Sequence, residues 1–304
     1  MTIASKHQTF IILAWLSLCV IWGTTWLVIK VGLGDLPPLT YAGMRFLIAG
    51  AILSVILLVR KIALPRERKD WQLLATLGVL GVALNYGLLF WGELHVSSGL
   101  AALLHAMIPL IGMFFAHYML PAERITPAKI FGVILGLAGV SLILVNQVQV
   151  KSSLAPIATL GILCGGGMVA FCNVLVKARG QKIDTLTLAA GQMMFGFPLL
   201  LGAGLLTEGN PLLYVWTPKA WLCLLYLALV GSCVAFMLFL WLVKNLAVTK
   251  TMLIALVTPL LAVALGAAVN NEEVNWRIIA GGACIIAGVG MNLLFKKSVR
   301  SDTL

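Results

Sequence analysis

The chain is expected to fold as an all-α polytopic membrane protein, with ten transmembrane helices arranged as two inverted five-helix repeats. Three observations point there. Of 304 residues, 61% are hydrophobic and 10% charged, with a mean hydropathy of +1.05, a balance far outside that of soluble domains. Apolar runs long enough to cross a bilayer recur with short polar breaks between them. One stretch is written twice: SGLAALLHAMIPLIGMFFAHYMLPAER, from Ser98 to Arg124, returns about 150 residues later as VTKTMLIALVTPLLAVALGAAVNNEE. Pro109 then falls on Pro259, and Glu123 on Glu272 or Glu273. Further out, Gly81 meets Gly231, Trp91 meets Trp241, Gly132 meets Gly281 and Gly139 meets Gly288.

The first repeat, 10–146, holds spans near 10–30, 39–59, 71–92, 97–118 and 127–146. Lys6 before Phe10–Ile21 resembles the start of a signal peptide, but no A-x-A site follows and more spans do. The segment reads as an uncleaved first helix. Gly34-Asp35-Leu36-Pro37-Pro38 separates the first two spans, and the basic cluster from Arg60 to Asp70 separates the next two. The second repeat, 155–295, holds spans near 155–176, 185–206, 219–243, 247–269 and 276–295. Gly209-Asn210-Pro211 marks its middle break, and the span 219–243 is long enough to tilt or overrun the membrane.

With the amino terminus inside, sixteen of the 21 Lys and Arg residues collect on the inner side and five on the outer. Both termini are therefore expected in the cytoplasm. Trp71, Trp216, Trp221 and Trp276 stand at span ends, where indole rings anchor at the interface. An odd number of helices per half turns the second repeat upside-down relative to the first. Inverted repeats are typical of alternating-access carriers, whose substrate site lies between the repeats near the midplane. The net charge of +11 follows from the inner-side bias and points to lipid, not nucleic acid, as partner. All six cysteines lie in apolar segments without CxxC or metal-ligand spacing, so no metal or cofactor is expected. With no HExxH and no paired buried Asp, the chain reads as no enzyme. Monomeric action is favoured.

All ten acidic residues fall in loops, in the tail or at span ends. That disfavours a cationic substrate, which needs a membrane-buried carboxylate as counter-charge. His105 is the single ionisable residue well inside a span, and it shares a small-and-polar helix face with Ser98, Ala102, Pro109, Gly112 and Ala116. The second copy offers Thr251, Ala255, Thr258-Pro259, Ala262 and Gly266. Such a face packs against a neighbour or lines a path; on the second reading His105 contacts substrate or carries a coupling proton. Trp15, Trp22 and Trp26 share one face of the first helix, and Trp22 beside Thr25 is placed best to face a cavity. Asn85, Tyr86, Asn173 and Gln192 sit mid-span, either bridging helices or meeting a ligand. Arg45, about two turns into the second helix, either snorkels or pairs with Asp35 or Glu272, or forms an anion-attracting outer gate; Lys250 is its counterpart on the inner side. Gly132-x-x-x-Gly136 is expected to pack on the tenth helix.

Trp22-Gly23-Thr24-Thr25-Trp26, then Lys30, Pro37-Pro38 and Arg45-Phe46, resemble the EamA family of the drug/metabolite transporter superfamily. The likeness extends to a proline in the fourth helix of each half and to the acidic residues that follow it. It implies a ten-helix inner-membrane carrier whose central cavity is lined chiefly by the first, third, fourth, sixth, eighth and ninth helices. Pro109 and Pro259 would be its hinges. Amino acids or other small neutral or zwitterionic metabolites are the implied exports; an organic anion or drug, or facilitated transport without protons, is the alternative within the same fold. Many members carry a Trp four residues before the Asn of the sixth helix. Here that position is Val169, after Gly165-Gly166-Gly167, which implies a less aromatic second-half wall.

Overall fold

The computed structural model describes residues 3–96, 98–144, 152–261 and 276–294, and every regular element among them is helical. In chain order these are α1 (Ile3–Gly32), α2 (Pro38–Val59), α3 (Arg68–His95), α4 in two pieces (Ser98–His105 and Ile108–Met119) and α5 (Pro127–Leu144). The second half holds α6 (Ala155–Arg179), α7 (Thr185–Thr207), α8 (Pro218–Asn245), α9 (Val248–Leu261) and α10 (Trp276–Leu294). Seven helical stretches among the described residues are long and apolar enough to cross a membrane: α1, α2, α3, α4, α6, α7 and α8. Within α5, α9 and α10 the apolar stretches are shorter: Pro127–Leu142, Val248–Leu261 and Ile279–Asn292. This is a multi-pass membrane protein. Glu272 and Glu273, and the end of the expected span 247–269, lie outside the described residues.

Helix starts follow local chemistry. Pro38, Pro127, Pro156 and Pro218 stand in first turns, where the missing N–H has no intrahelical partner to lose. Asp184 accepts from the Leu186 N–H and Thr217 from the Ala220 N–H, capping α7 and α8.

Two long helices are wound wider than an α-helix in mid-course. Leu77–Leu84 in α3 and Leu229–Val234 in α8 adopt π-type turns, at places that coincide under the 150-residue offset that puts Gly81 on Gly231. Both helices then end alike, at Val96 (φ −125°, ψ 165°) and Leu246 (φ −124°, ψ 163°). The fourth helix of each half is broken upstream of its proline, at Ala106–Met107 before Pro109 and at Leu253 before Pro259. Within α9 the Thr258 hydroxyl lies 3.5 Å from the Ala255 carbonyl, the acceptor that Pro259 leaves without an N–H.

Packing pairs the halves. Helix α2 lies along α7 and α5 along α10, while α1 meets α8 and α3 meets α6, so each contact keeps a counterpart when the helices of the two halves are exchanged in order. Helices α5 and α10 touch on glycine: a Cβ on Gly288 would collide with the Gly132 carbonyl, and one on Gly139 with that of Gly281. The expected packing of the Gly132 motif on the tenth helix is what the structure shows.

Polar contacts gather at two ends. At one, Lys219 pairs with Asp35 at 3.0 Å, the Thr217 hydroxyl donates to Asp35 at 2.6 Å, and Glu208 accepts the Leu39 and Thr40 N–H groups at 2.7 and 2.8 Å. At the other, Glu123 accepts the Val248 and Thr249 N–H groups at 2.7 and 3.1 Å, and the Lys177 ammonium donates to the Lys244 and Leu246 carbonyls at 2.8 and 2.9 Å. Each contact joins helix ends that share a side when successive helices run antiparallel.

Candidate functional site

A cavity offering about 150 Å³ to the centres of water-sized molecules opens between the halves. That is room for a small solute and not merely a trapped water. Eight helices contribute to its wall; α5 and α10, occupied with each other, do not. The expected six helices are all present, and the structure adds α2 through Arg45 and α7 through Gln192.

The lining repeats. At the same 150-residue spacing, Trp22 and Cys172, Trp26 and Val176, Tyr86 and Phe236, Leu89 and Phe239, His105 and Ala255, and Ile108 and Thr258 all face the cavity. Equivalent positions thus meet across one space, although their chemistry has diverged. The wall is mostly apolar and aromatic: the Trp22 ring lies 5.0 Å from Phe239 and 6.2 Å from Phe236, and Tyr86 lies 6.4 Å from Phe236. The sixth-helix wall at Val169 is non-aromatic, as the resemblance implied, but α8 brings Phe236 and Phe239 from the same half, so the second half is not short of rings.

All seven residues expected on a path, Trp22, Thr25, Asn85, Tyr86, His105, Asn173 and Gln192, line this cavity. Trp26 adds an edge-on contact to His105 at 5.5 Å. Trp15 does not reach the cavity; its indole donates to the Lys250 carbonyl at 3.3 Å and ties α1 to the start of α9. Several buried polar atoms at the wall lack a partner among the described residues: Asn85 Oδ1, Gln192 Nε2, His105 Nδ1 and Arg45 Nη1. Gly165 lies against the Asn85 backbone and side chain, so the triple glycine of α6 serves close approach at that point.

Arg45 does not snorkel to the surface. It is 1% exposed and faces the cavity, donating from Nε to Ser232 Oγ at 2.7 Å and from Nη2 to the Gly231 carbonyl at 3.0 Å. Asp35, one of its expected partners, instead holds Lys219 and Thr217, whose hydrogen bonds keep its carboxyl below the usual carboxylate range. Lys250 is half-buried at the start of α9 and is not part of the cavity wall. Two acids near helix ends, Glu93 and Glu123, are each 6% exposed, which sequence position alone does not reveal. Neither lines the cavity.

A profile of the EamA-like transporter family matches residues 9–145 and again residues 156–294. The chain belongs to the EamA-like transporter family. It is 32% identical over 287 residues to the uncharacterized inner membrane transporter YedA of Escherichia coli (strain K12), covering 91% of this chain and 89% of that protein. It is 28% identical over 285 residues to the uncharacterized transporter YoaV of Bacillus subtilis (strain 168), covering 93% and 96%. A solved crystal structure at 20% identity superposes with a TM-score of 0.79 over 93% of this chain and 96% of that one, which shows the same fold. Membership of this family assigns the twice-written sequence to its two EamA repeats and the general function to transport.

Proposed function

We propose that this EamA protein is a secondary carrier that exports small neutral or zwitterionic metabolites, amino acids among them, across the inner membrane by alternating access. The observation that carries the reading is the cavity lined by equivalent positions of both halves. A site on the axis relating two repeats is where a rocking movement exposes a solute first to one side and then to the other. The pairing of α2 with α7 and of α5 with α10 supports two inverted five-helix repeats, 10–146 and 155–295, and ten spans in all. The basic bias supports cytoplasmic termini.

In this mechanism the contacts at the two ends alternate. The Asp35, Lys219, Thr217 and Glu208 contacts close one end, and Glu123 with Lys177 closes the other. Rocking needs helices that yield at a fixed place, and the breaks upstream of Pro109 and Pro259 supply one in each half. His105, against Trp26 in the cavity wall, is the group placed to exchange a proton with the solute path.

Counterflow in proteoliposomes, with and without an imposed pH gradient, tests the reading. Exchange of a labelled amino acid, driven uphill by the gradient and lost in His105→Ala, is the expected result. Exchange indifferent to the gradient makes the protein a facilitator and His105 a packing residue. No exchange of any solute overturns the carrier reading.

A further inference from the structure

Among the described residues, the central cavity contains a cation, Arg45, that no acidic side chain faces. Arginine stays protonated in proteins, so a full positive charge sits at Arg45 with 1% exposure. Its two bonded nitrogens meet neutral acceptors, Ser232 Oγ and the Gly231 carbonyl. The Phe46 and Tyr86 rings lie 5.0 and 5.1 Å from Cζ, a favourable contact that leaves the charge in place. Among the described residues no Asp or Glu lines the cavity, the Tyr86 side chain that hydrogen-bonds the guanidinium is neutral as well, and Nη1 has no acceptor within hydrogen-bond distance. A buried, half-bonded charge is held at a cost that an arriving anion repays.

We propose that Arg45 is the anchor for a carboxylate on the transported solute, and that the solute class is the small monocarboxylate with a compact apolar or aromatic remainder. This rests on the carrier reading and replaces its neutral solutes by carboxylates, zwitterionic or anionic. Ser232 and Gly231 fix the guanidinium from the second half, so its unpartnered Nη1 is held in one orientation in a side chain that lines the cavity. Gln192 Nε2 is a second unpartnered donor in the same wall. For an ammonium group the described wall offers no negative charge, only neutral acceptors such as Asn85 Oδ1, Asn173 and the Thr251 and Thr258 hydroxyls, and ring faces. The amine of an amino acid is therefore tolerated and not required, and a molecule with an amine but no carboxylate is excluded. A second carboxylate finds no second Lys or Arg among the described wall residues and is excluded too.

The test uses the full chain in proteoliposomes and two skeletons in matched chemical forms. Counterflow is measured for labelled phenylalanine, 3-phenylpropanoate, 3-phenylpropanamide and 2-phenylethylamine, and for leucine, 4-methylpentanoate and the corresponding amide and amine. The carboxylate-bearing members of at least one skeleton should exchange, the amine-free acid at least as well as the amino acid, with amide and amine at least about 10-fold slower. Arg45→Gln should slow the carboxylates by roughly 30-fold or more, with Arg45→Lys in between. Ser232→Ala, which keeps the charge and loosens its hold, should give a few-fold loss. Comparison of acid with amide on the unmutated protein needs no variant, so a folding defect in Arg45→Gln leaves the test standing. Amine or amide exchanging as fast as the acid, or a well-folded Arg45→Gln exchanging normally, overturns the anchor while the carrier stands. If none of the eight solutes exchanges, the monocarboxylate assignment falls, while the carrier reading stands or falls by the wider counterflow screen of neutral and zwitterionic solutes.

Discussion

The two wide turns of this molecule have the same geometry and opposite uses. In the first half, α3 crosses α7 through Leu77–Leu84 on glycine: a Cβ on Gly78 would meet the Gln192 carbonyl at 2.7 Å and the Gly196 nitrogen at 3.0 Å. Backbone lies on backbone. In the second half, α8 passes α2 through Leu229–Val234, and the positions matching Gly78 and Gly196 are Ala228 and Phe46. Beside Phe46 stands Arg45, whose guanidinium reaches the turn's Gly231 carbonyl and Ser232 hydroxyl; the position matching Arg45 is Phe195, which turns outward to Trp71. One crossing is closed by glycine and carries stability. The other is held apart by a ring and a guanidinium and carries charge into the cavity. Duplication supplied the turn, and divergence at two or three residues decided what it does.

The sharpest break of this comparison is overpacking. Gly78→Leu should push α3 from α7 and cost about 3 kcal/mol or more, read as loss of monodisperse protein and a lower melting temperature. Ala228→Gly, at the matching place, should cost only about 1 kcal/mol. Equal effects would mean that the two crossings are not differently packed.

A second contrast concerns the ends. Glu123, from the first half, caps α9 in the second, and Glu208, from the second half, caps α2 in the first. Each Glu→Gln change replaces a charge-assisted pair of N–H bonds at a helix start and should cost about 1–2 kcal/mol. Glu123 should be the more sensitive, because it is 6% exposed and also accepts the Thr249 hydroxyl at 3.0 Å. Thermal unfolding of the two variants in detergent would rank them.

The smallest effect is expected at Asp35. Its carboxyl is depressed in the folded protein by the Thr217 and Lys219 hydrogen bonds, so its contribution is present above the unfolded carboxylate range of about 3.9 and is lost as pH falls through the lower folded value. Wild type should therefore exceed Asp35→Asn in melting temperature at pH 7, and the gap should close below about pH 4. Because the Lys219 side chain is 56% exposed, solvent screens the pair and salt should shrink the gap. A gap that persists at low pH would assign it to side-chain size and not to charge.

Much of this was legible in the chain. The periodic proline, the glycines and the run lengths identified the repeats, because a bilayer dictates span length and a duplicated unit keeps its backbone devices. Polar residues in mid-span identified the cavity wall, since Asn85, His105, Asn173 and Gln192 have little reason to face lipid. The wide turns were not legible: no residue pattern in Leu77–Leu84 or Leu229–Val234 separates a π-type turn from an α-type one.

Arg45 shows where the sequence by itself stops. Two turns from a loop, a long cationic side chain reads as snorkelling outward, because nothing in the chain says which way it turns. Its inward direction was decided by α8, whose widened turn brings a carbonyl and a hydroxyl within 3.0 and 2.7 Å of it from 186 and 187 residues away. Span order, repeat and family follow from local composition and spacing, which a chain carries along its length. The position of a charge in the cavity follows from partners distant in sequence, and those exist only once the two halves are packed.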